Sequence, residues 1–192
     1  MKSLASIIQG PIVIALVLSF ASAGYAQSQP KPATEATKAA NRAMAETLNF
    51  SDREDFDNAT RGFIGKPEQL TIRNAQGNVI WDLEQYKAFI ASDKPAPDTV
   101  NPSLWRNAQL GMEYGLFRVH DRIVQVRGYD LSNITFIKGD TGWIVFDPLI
   151  SPETAKAAYD FVSERLEKLP IVAVVYSHSH ADYYGGVRGI VD

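Results

Sequence analysis

His178 and His180, two of the three histidines in the chain, lie in Ser177-His-Ser-His-Ala-Asp182-Tyr183-Tyr184-Gly185-Gly186. In extended backbone, positions i and i+2 project to one side, so both imidazoles can meet one cation at about 2.0–2.1 Å. Asp182 adds a hard oxygen two residues further on, suited to a second, adjacent ion. A bare pair of histidines says little, because solvated loop histidines fall that way by chance. Context makes this pair more specific. H-x-H-x-D runs into Gly185-Gly186, which lets the backbone turn tightly. It also follows Ile171-Val-Ala-Val-Val-Tyr176, an apolar, β-branched run that reads as a buried strand. Metal ligation where a core strand runs out is the chemistry indicated. Ser177 and Ser179 flank the histidines without the oriented base and acid that a serine nucleophile needs, and read as loop polar groups.

The elements that position this motif lie directly upstream. Trp143-Ile-Val-Phe146 is a short apolar strand ending in Asp147-Pro148. Ser151, Pro152 and Glu153 open a helix with an N-cap, a proline at the first helical position and an early acid. Ala157, Phe161, Val162, Leu166 and Leu169 give that helix an apolar face, and Pro170 stops it. Ile123–Arg127 alternates like a half-buried strand, and Ile134–Ile137 reads as another. Strand, crossover helix and strand make this half of the chain α/β. His120 falls in Phe117–Arg122, a stretch that leads into a strand, and reads as a partly exposed turn histidine.

The N-terminal half is more interrupted. Ala39, Ala40, Ala43, Met44 and Leu48 recur at helical spacing over Thr37–Phe50. Ser51-Asp-Arg-Glu54 has the form of a capping box for a short helix through Thr60. Leu70–Arg73 and Asn78–Asp82 flank a turn and read as a hairpin. A helix is expected over Leu83–Ala91, then a proline-containing linker over Asp93–Pro102. Trp81, Trp105 and Trp143 read as core residues.

The chain has 192 residues, no cysteine and 45% hydrophobic residues. This excludes a disulfide scaffold, a collagen-like chain and a wholly disordered one. Residues 1–26 read as a cleavable signal peptide. Lys2 precedes an apolar run, Ile12–Phe20, interrupted by Ser19 alone, and small residues allow cleavage after Ala23 or Ala26. The run falls well short of the roughly 20 residues a bilayer span needs, so no stable membrane anchor is expected. The protein is therefore expected to be exported, to the periplasm or beyond. The net charge is −3, and the leader holds one lysine and no acid, so the remainder carries −4. That balance gives no reason to expect nucleic acid or an anionic membrane as partner.

The segment Ser177–Asp182 resembles the signature of the metallo-β-lactamase superfamily, H-x-H-x-D-H. Together with Gln125–Thr135, Gly139–Pro148 and Val175–Asp182, it makes the chain look like the alkyl sulfatases of that superfamily. The resemblance implies an αββα sandwich, a site for two zinc ions, and release of sulfate from alkyl sulfates such as dodecyl sulfate. It also implies a homodimer formed through a domain absent here. His178 and His180 match the ligands of one zinc. Asp182 matches a ligand of the other and would orient the nucleophile. Asp147 matches a position that supports the metal ligands from behind, although a helix or turn cap before Pro148 explains it equally well.

Tyr183 departs from the pattern, standing where the family has histidine. A phenol of pKa about 10 must ionise to ligate well, so the second site should be weakened, with one zinc or none bound here. The family's other ligands come from the second half of the sandwich. The expected organisation is thus a signal peptide (1–26), an N-terminal extension of helices and a hairpin (27–112), and an incomplete metallo-β-lactamase-like domain (113–192). The chain is expected to be a truncated N-terminal part, inactive alone, with an apolar sheet face and a strand edge uncovered. Two alternatives stand beside the alkyl sulfatase: another hydrolase of the same fold, such as a lactamase or thioesterase, and a non-catalytic remnant or gene fragment.

Overall fold

Alternating apolar residues from Gly115 onwards build five strands of one sheet, and Phe63–Gly65 from upstream adds a sixth at its edge. A computed structural model describes residues 31–90 and 93–191; the signal peptide expected at 1–26 lies outside the described residues. The elements belong to one compact unit, Ala33–Asp192. In chain order they are α1 (Glu35–Thr47), α2 (Glu54–Thr60), β1 (Phe63–Gly65), β2 (Thr71–Arg73), β3 (Val79–Asp82), α3 (Glu84–Lys87), α4 (Pro102–Gly111), β4 (Gly115–His120), β5 (Ile123–Arg127), β6 (Ile134–Lys138), β7 (Trp143–Phe146), α5 (Pro152–Arg165) and β8 (Ile171–Val175). Two 3-10 turns follow, Ala181–Tyr183 and Val187–Gly189. Among the described residues, no helix is long and apolar enough to cross a membrane.

The six-stranded sheet runs β1-β4-β5-β6-β7-β8. Its pairs are antiparallel except β7 with β8, which are parallel and joined through α5. A parallel pair needs such a crossover, and it brings the C-terminal ends of β7 and β8 to the same edge. One face of the sheet is dry. Val124, Val126, Ile134, Phe136 and Val145 are buried there in one cluster with Ala158, Phe161 and Val162 of α5 and Leu70 and Ile72 of the β2/β3 hairpin. Burying each such side chain stabilises the fold by about 1.5–3 kcal/mol. Phe136 also meets Trp143 edge-on, with ring centroids 6.0 Å apart.

Local signals place α5 as expected. The Ser151 hydroxyl accepts from the Thr154 amide at 3.1 Å, and the Ser151 amide donates back to the Thr154 hydroxyl at 3.3 Å. This is a reciprocal capping box with Pro152 at the first helical position. The buried face of α5 is Thr154, Ala155, Ala158, Phe161 and Val162; the helix ends at Arg165 and not at Pro170, so Leu166 and Leu169 lie beyond it, partly buried like Ala157. Trp105 and Trp143 are buried and Trp81 is partly so. Each indole N–H reaches a backbone carbonyl: of Gly128, Lys94 and Glu167 for Trp81, Trp105 and Trp143.

Several expectations are corrected. β8 is not a buried strand. It has β7 on one side and no strand on the other among the described residues, so Val172 is 48% and Val175 38% exposed. Ile137, Ile144, Phe146 and Ala173 share the second face with Val175 and are likewise half-buried or exposed, so the uncovered apolar face is present. Ser51 does not cap α2: its hydroxyl bonds Asn49 at 2.6 Å, and Asp52 accepts from the Glu54 amide at 2.9 Å instead. The helix expected over Leu83–Ala91 is regular only over Glu84–Lys87, and α1 ends at Thr47. Pro102 opens α4 rather than closing a linker, with Asn101 accepting from the Ser103 amide at 2.9 Å. Phe117–His120 belongs to a strand, because it pairs with β5 directly downstream, and β1 joins β4 at Leu116 and Phe117.

The hairpin is fastened by Glu84. Its Oε1 accepts from Lys87 Nζ at 2.7 Å and from the Leu70 amide at 2.8 Å, and Lys87 Nζ also meets the Tyr114 hydroxyl at 2.7 Å. The Lys87 hydrogen bond, then the Leu70 amide, hold the Glu84 carboxyl below its ordinary value. A depressed carboxyl contributes stability that is present above its unfolded pKa and lost as pH falls through the folded one. Glu84→Gln should therefore cost about 1 kcal/mol at neutral pH, the scale of a half-exposed charge-assisted bond. The deficit should close as pH drops through the carboxylate range in thermal melts. A deficit that is constant with pH would refute this account.

Candidate metal centre

The parallel pairing of β7 and β8 puts Asp147 and Ser177 side by side, each just past its strand. The Asp147 amide donates to the Val175 carbonyl at 3.0 Å, and Asp147 Oδ1 accepts from the Ser177 amide at 2.7 Å. One residue therefore ties both strand ends together, at the position next to His178. Asp147 has φ 56° and Leu149 φ 62°, left-handed values that non-glycine residues adopt at a cost of roughly 1–2 kcal/mol. Burial of Leu149 and the two Asp147 bonds hold the turn there. The carboxylate caps the turn and braces the histidine loop in a single contact.

His178 and His180 meet, although by a different route from the one expected. Residues 177–179 form a bend instead of continuing the pleat of β8, and the rings are brought edge to face, with centroids 4.7 Å apart. His178 Nε2 lies 3.0 Å from His180 Nδ1, and His178 Nδ1 lies 2.9 Å from Ser177 Oγ. Two nitrogens on one tetrahedral zinc stand roughly 3.3 Å apart, so the spacing of the pair is close to that of two donors on one ion. Both side chains are exposed. The Tyr183 ring lies against His178, centroid to centroid 4.2 Å.

Asp182 and Tyr183 sit in the first 3-10 turn, half-buried. Among the described residues, no group of three or more His, Cys, Asp or Glu side chains is gathered closely enough to hold an ion. The histidine pair is brought together and Asp182 is not added to it. A metal ion at this point would meet two paired imidazoles and no third such side chain among the described residues. His120 ends β4, exposed, apart from this cluster.

The loop that carries the motif depends on residues that spacing did not single out. Asp130, between β5 and β6, is 6% exposed and accepts from the amides of Ser132 and Ile150, both at 2.9 Å, and from the Thr154 hydroxyl at 2.8 Å. The Ser132 hydroxyl donates to the backbone carbonyl of Asp182. An Asp two residues before a Ser is a local turn signal, but nothing local says that this one reaches residue 182. Gly185 and Gly186 are required for close approach. Both have little room: a Cβ would lie 2.3 Å from the Ile150 carbonyl oxygen at Gly185, and 2.1 Å from that of Pro148 at Gly186.

The chain's sequence and fold are similar to those of known proteins. Residues 127–192 match the Metallo-beta-lactamase superfamily model. Over 168 residues the chain is 54% identical to a linear primary-alkylsulfatase of Pseudomonas sp, covering 88% of this chain and 25% of that protein. It is 44% identical over 168 residues to the alkyl/aryl-sulfatase BDS1 of Saccharomyces cerevisiae, covering 88% of this chain and 26% of that one. A solved structure, the stereoselective inverting sec-alkylsulfatase Pisa1 from Pseudomonas sp., superposes with a TM-score of 0.78 at 51% identity, covering 84% of this chain and 25% of that chain. The chain spans about a quarter of the length of the relatives it matches. The resemblance to the N-terminal portion of alkyl sulfatases holds, and so does the α/β class with the first half of a metallo-β-lactamase sandwich.

Proposed function

We propose that this chain, whose sequence and fold are those of the N-terminal portion of an alkyl sulfatase of the metallo-β-lactamase superfamily, supplies the first ligands of a zinc site for hydrolysing alkyl sulfate esters. The observation that carries the reading is the converged pair His178 and His180 at the shared end of a parallel strand pair, 3.0 Å apart. Asp182 is assigned to the neighbouring ion, and Asp147 to bracing the loop from behind the ligands. When bound, such an ion lowers the pKa of a bound water towards neutrality and offsets charge on the sulfate oxygens. This chain's own contribution is to hold the two imidazoles side by side. Identities of 44–54% to alkyl- and alkyl/aryl-sulfatases favour this substrate class over a lactam or thioester. The leader read at 1–26 would deliver the protein to an exported compartment.

With two converged donors and an incomplete set, the chain by itself should take up about one weakly held zinc or cobalt(II) equivalent and release no sulfate from dodecyl sulfate. A metal titration, run beside His178→Ala, checks both statements. Uptake should vanish in the variant. Metal uptake unchanged by the substitution would remove the histidine pair from the proposal, and sulfate release above the variant's level would show that the chain is active alone.

A further inference from the structure

Asp130 is a buried carboxylate whose bonds converge on the histidine loop from two directions. Its Oδ1 holds the Ser132 amide at 2.9 Å. The Ser132 hydroxyl has one proton, and its short bond to the Asp182 carbonyl takes it; the 3.4 Å approach to Asp130 is a contact only. On the other side, Oδ2 holds the Ile150 amide at 2.9 Å, next to Leu149, whose carbonyl accepts from the Gly186 amide at 2.9 Å. Within the loop, the Tyr183 amide bonds the His180 carbonyl at 3.0 Å, and the Gly185 amide bonds that of Ala181 at 2.8 Å. The segment from Asp182 to Gly186 is thus tied at both ends, and both ties trace to one carboxylate.

We infer that Asp130 and Ser132 are positioning residues for the metal-ligand loop: Asp130 fixes Ser132, and the Ser132 hydroxyl fixes the backbone of Asp182 and so the place of its side chain relative to the histidines. The contact links residues fifty apart in sequence. The role in metal binding rests on the proposed function, whereas the order imposed on the loop does not. The competing account is that Asp130 merely secures the first turn of α5 through Thr154.

Two substitutions separate these accounts. Ser132→Ala removes the tie to Asp182 and leaves Asp130 bonded to Ile150 and Thr154. Thr154→Val cuts the α5 bond and leaves Ser132 in place. Hydrogen exchange on the full chain should show the amides of Tyr183, Gly185 and Gly186 exchanging roughly fivefold faster in Ser132→Ala, with α5 unchanged, the scale of one lost hydrogen bond. In Thr154→Val the same loop amides should keep their wild-type rates. Cobalt(II) affinity, read from the visible spectrum, should fall about tenfold in Ser132→Ala at unchanged far-ultraviolet circular dichroism, as loss of an outer partner of a ligand does. Unchanged loop exchange in Ser132→Ala, or equal loosening in Thr154→Val, overturns the inference. If the wild-type chain takes up no cobalt, the metal reading fails and the exchange rates still decide whether Asp130 and Ser132 order the loop.

Discussion

A chimera joining this chain to the remaining three quarters of the 54%-identical primary alkylsulfatase should hydrolyse dodecyl sulfate, and His178→Ala in that chimera should lower the rate by more than about 100-fold. Outer partners of metal ligands are worth about 10–100-fold on their own, so removing a ligand must cost more. The same chimera tests Tyr183. The phenol ring lies tilted against His178, centroids 4.2 Å apart, and stands where the family pattern has an imidazole. Tyr183→His should raise zinc content from about one to about two ions per chain, because neutral imidazole ligates at pH 7 and a phenol of pKa about 10 does not. Metal analysis checks this directly. Equal zinc in both forms would mean that the second site does not need this position. A rate unaffected by His178→Ala would detach the histidine pair from the reaction altogether.

Gly186→Ala should be among the most damaging single methyl additions in the chain. The added carbon would sit 2.1 Å from the Pro148 carbonyl oxygen, 2.6 Å from that of Ser151 and 2.9 Å from the Ala155 side chain. Two of these neighbours are backbone and the third is a methyl group fixed to a helix, so the loop itself must move. A loss of about 3 kcal/mol is expected, or a fall in Tm of roughly 6–12 °C. Gly77 provides the contrast. It has φ 83° but open space around it, so Gly77→Ala should cost only the backbone strain, about 1 kcal/mol. Denaturant melts that ranked the two equally would show that the 181–186 loop is not packed against residues 148–151 as described.

Much of the candidate site was legible because its signals are local. H-x-H-x-D after a β-branched run, the Ser151 cap with Pro152, and the strand periods from Ile123 to Phe146 each depend on neighbours within a turn or a pleat. The same locality explains the misses. Ser51 and Glu54 have the residue types of a capping box, yet Asp52 competes for the same amide and wins. The helix at Pro102 was hidden because a proline after two others looks like a linker, while at the first helical position its missing N–H costs nothing.

What the amino-acid order determined by itself was the class of element at each position and the chemistry available at residues 178–182. Tertiary structure decided which of those groups meet. Apolar composition alone could not say that β8 is an edge strand, because exposure depends on what lies alongside. Nor could spacing show that Asp182 stays apart from the histidine pair. Whether a side chain is a ligand, a brace or a cap depends on partners 20 to 50 residues away, as Asp130 shows through Ile150 and Thr154, and Ser132 through Asp182. Such contacts are fixed only when the crossover through α5 folds the two ends of the parallel pair together, since no short-range pattern encodes a long-range distance.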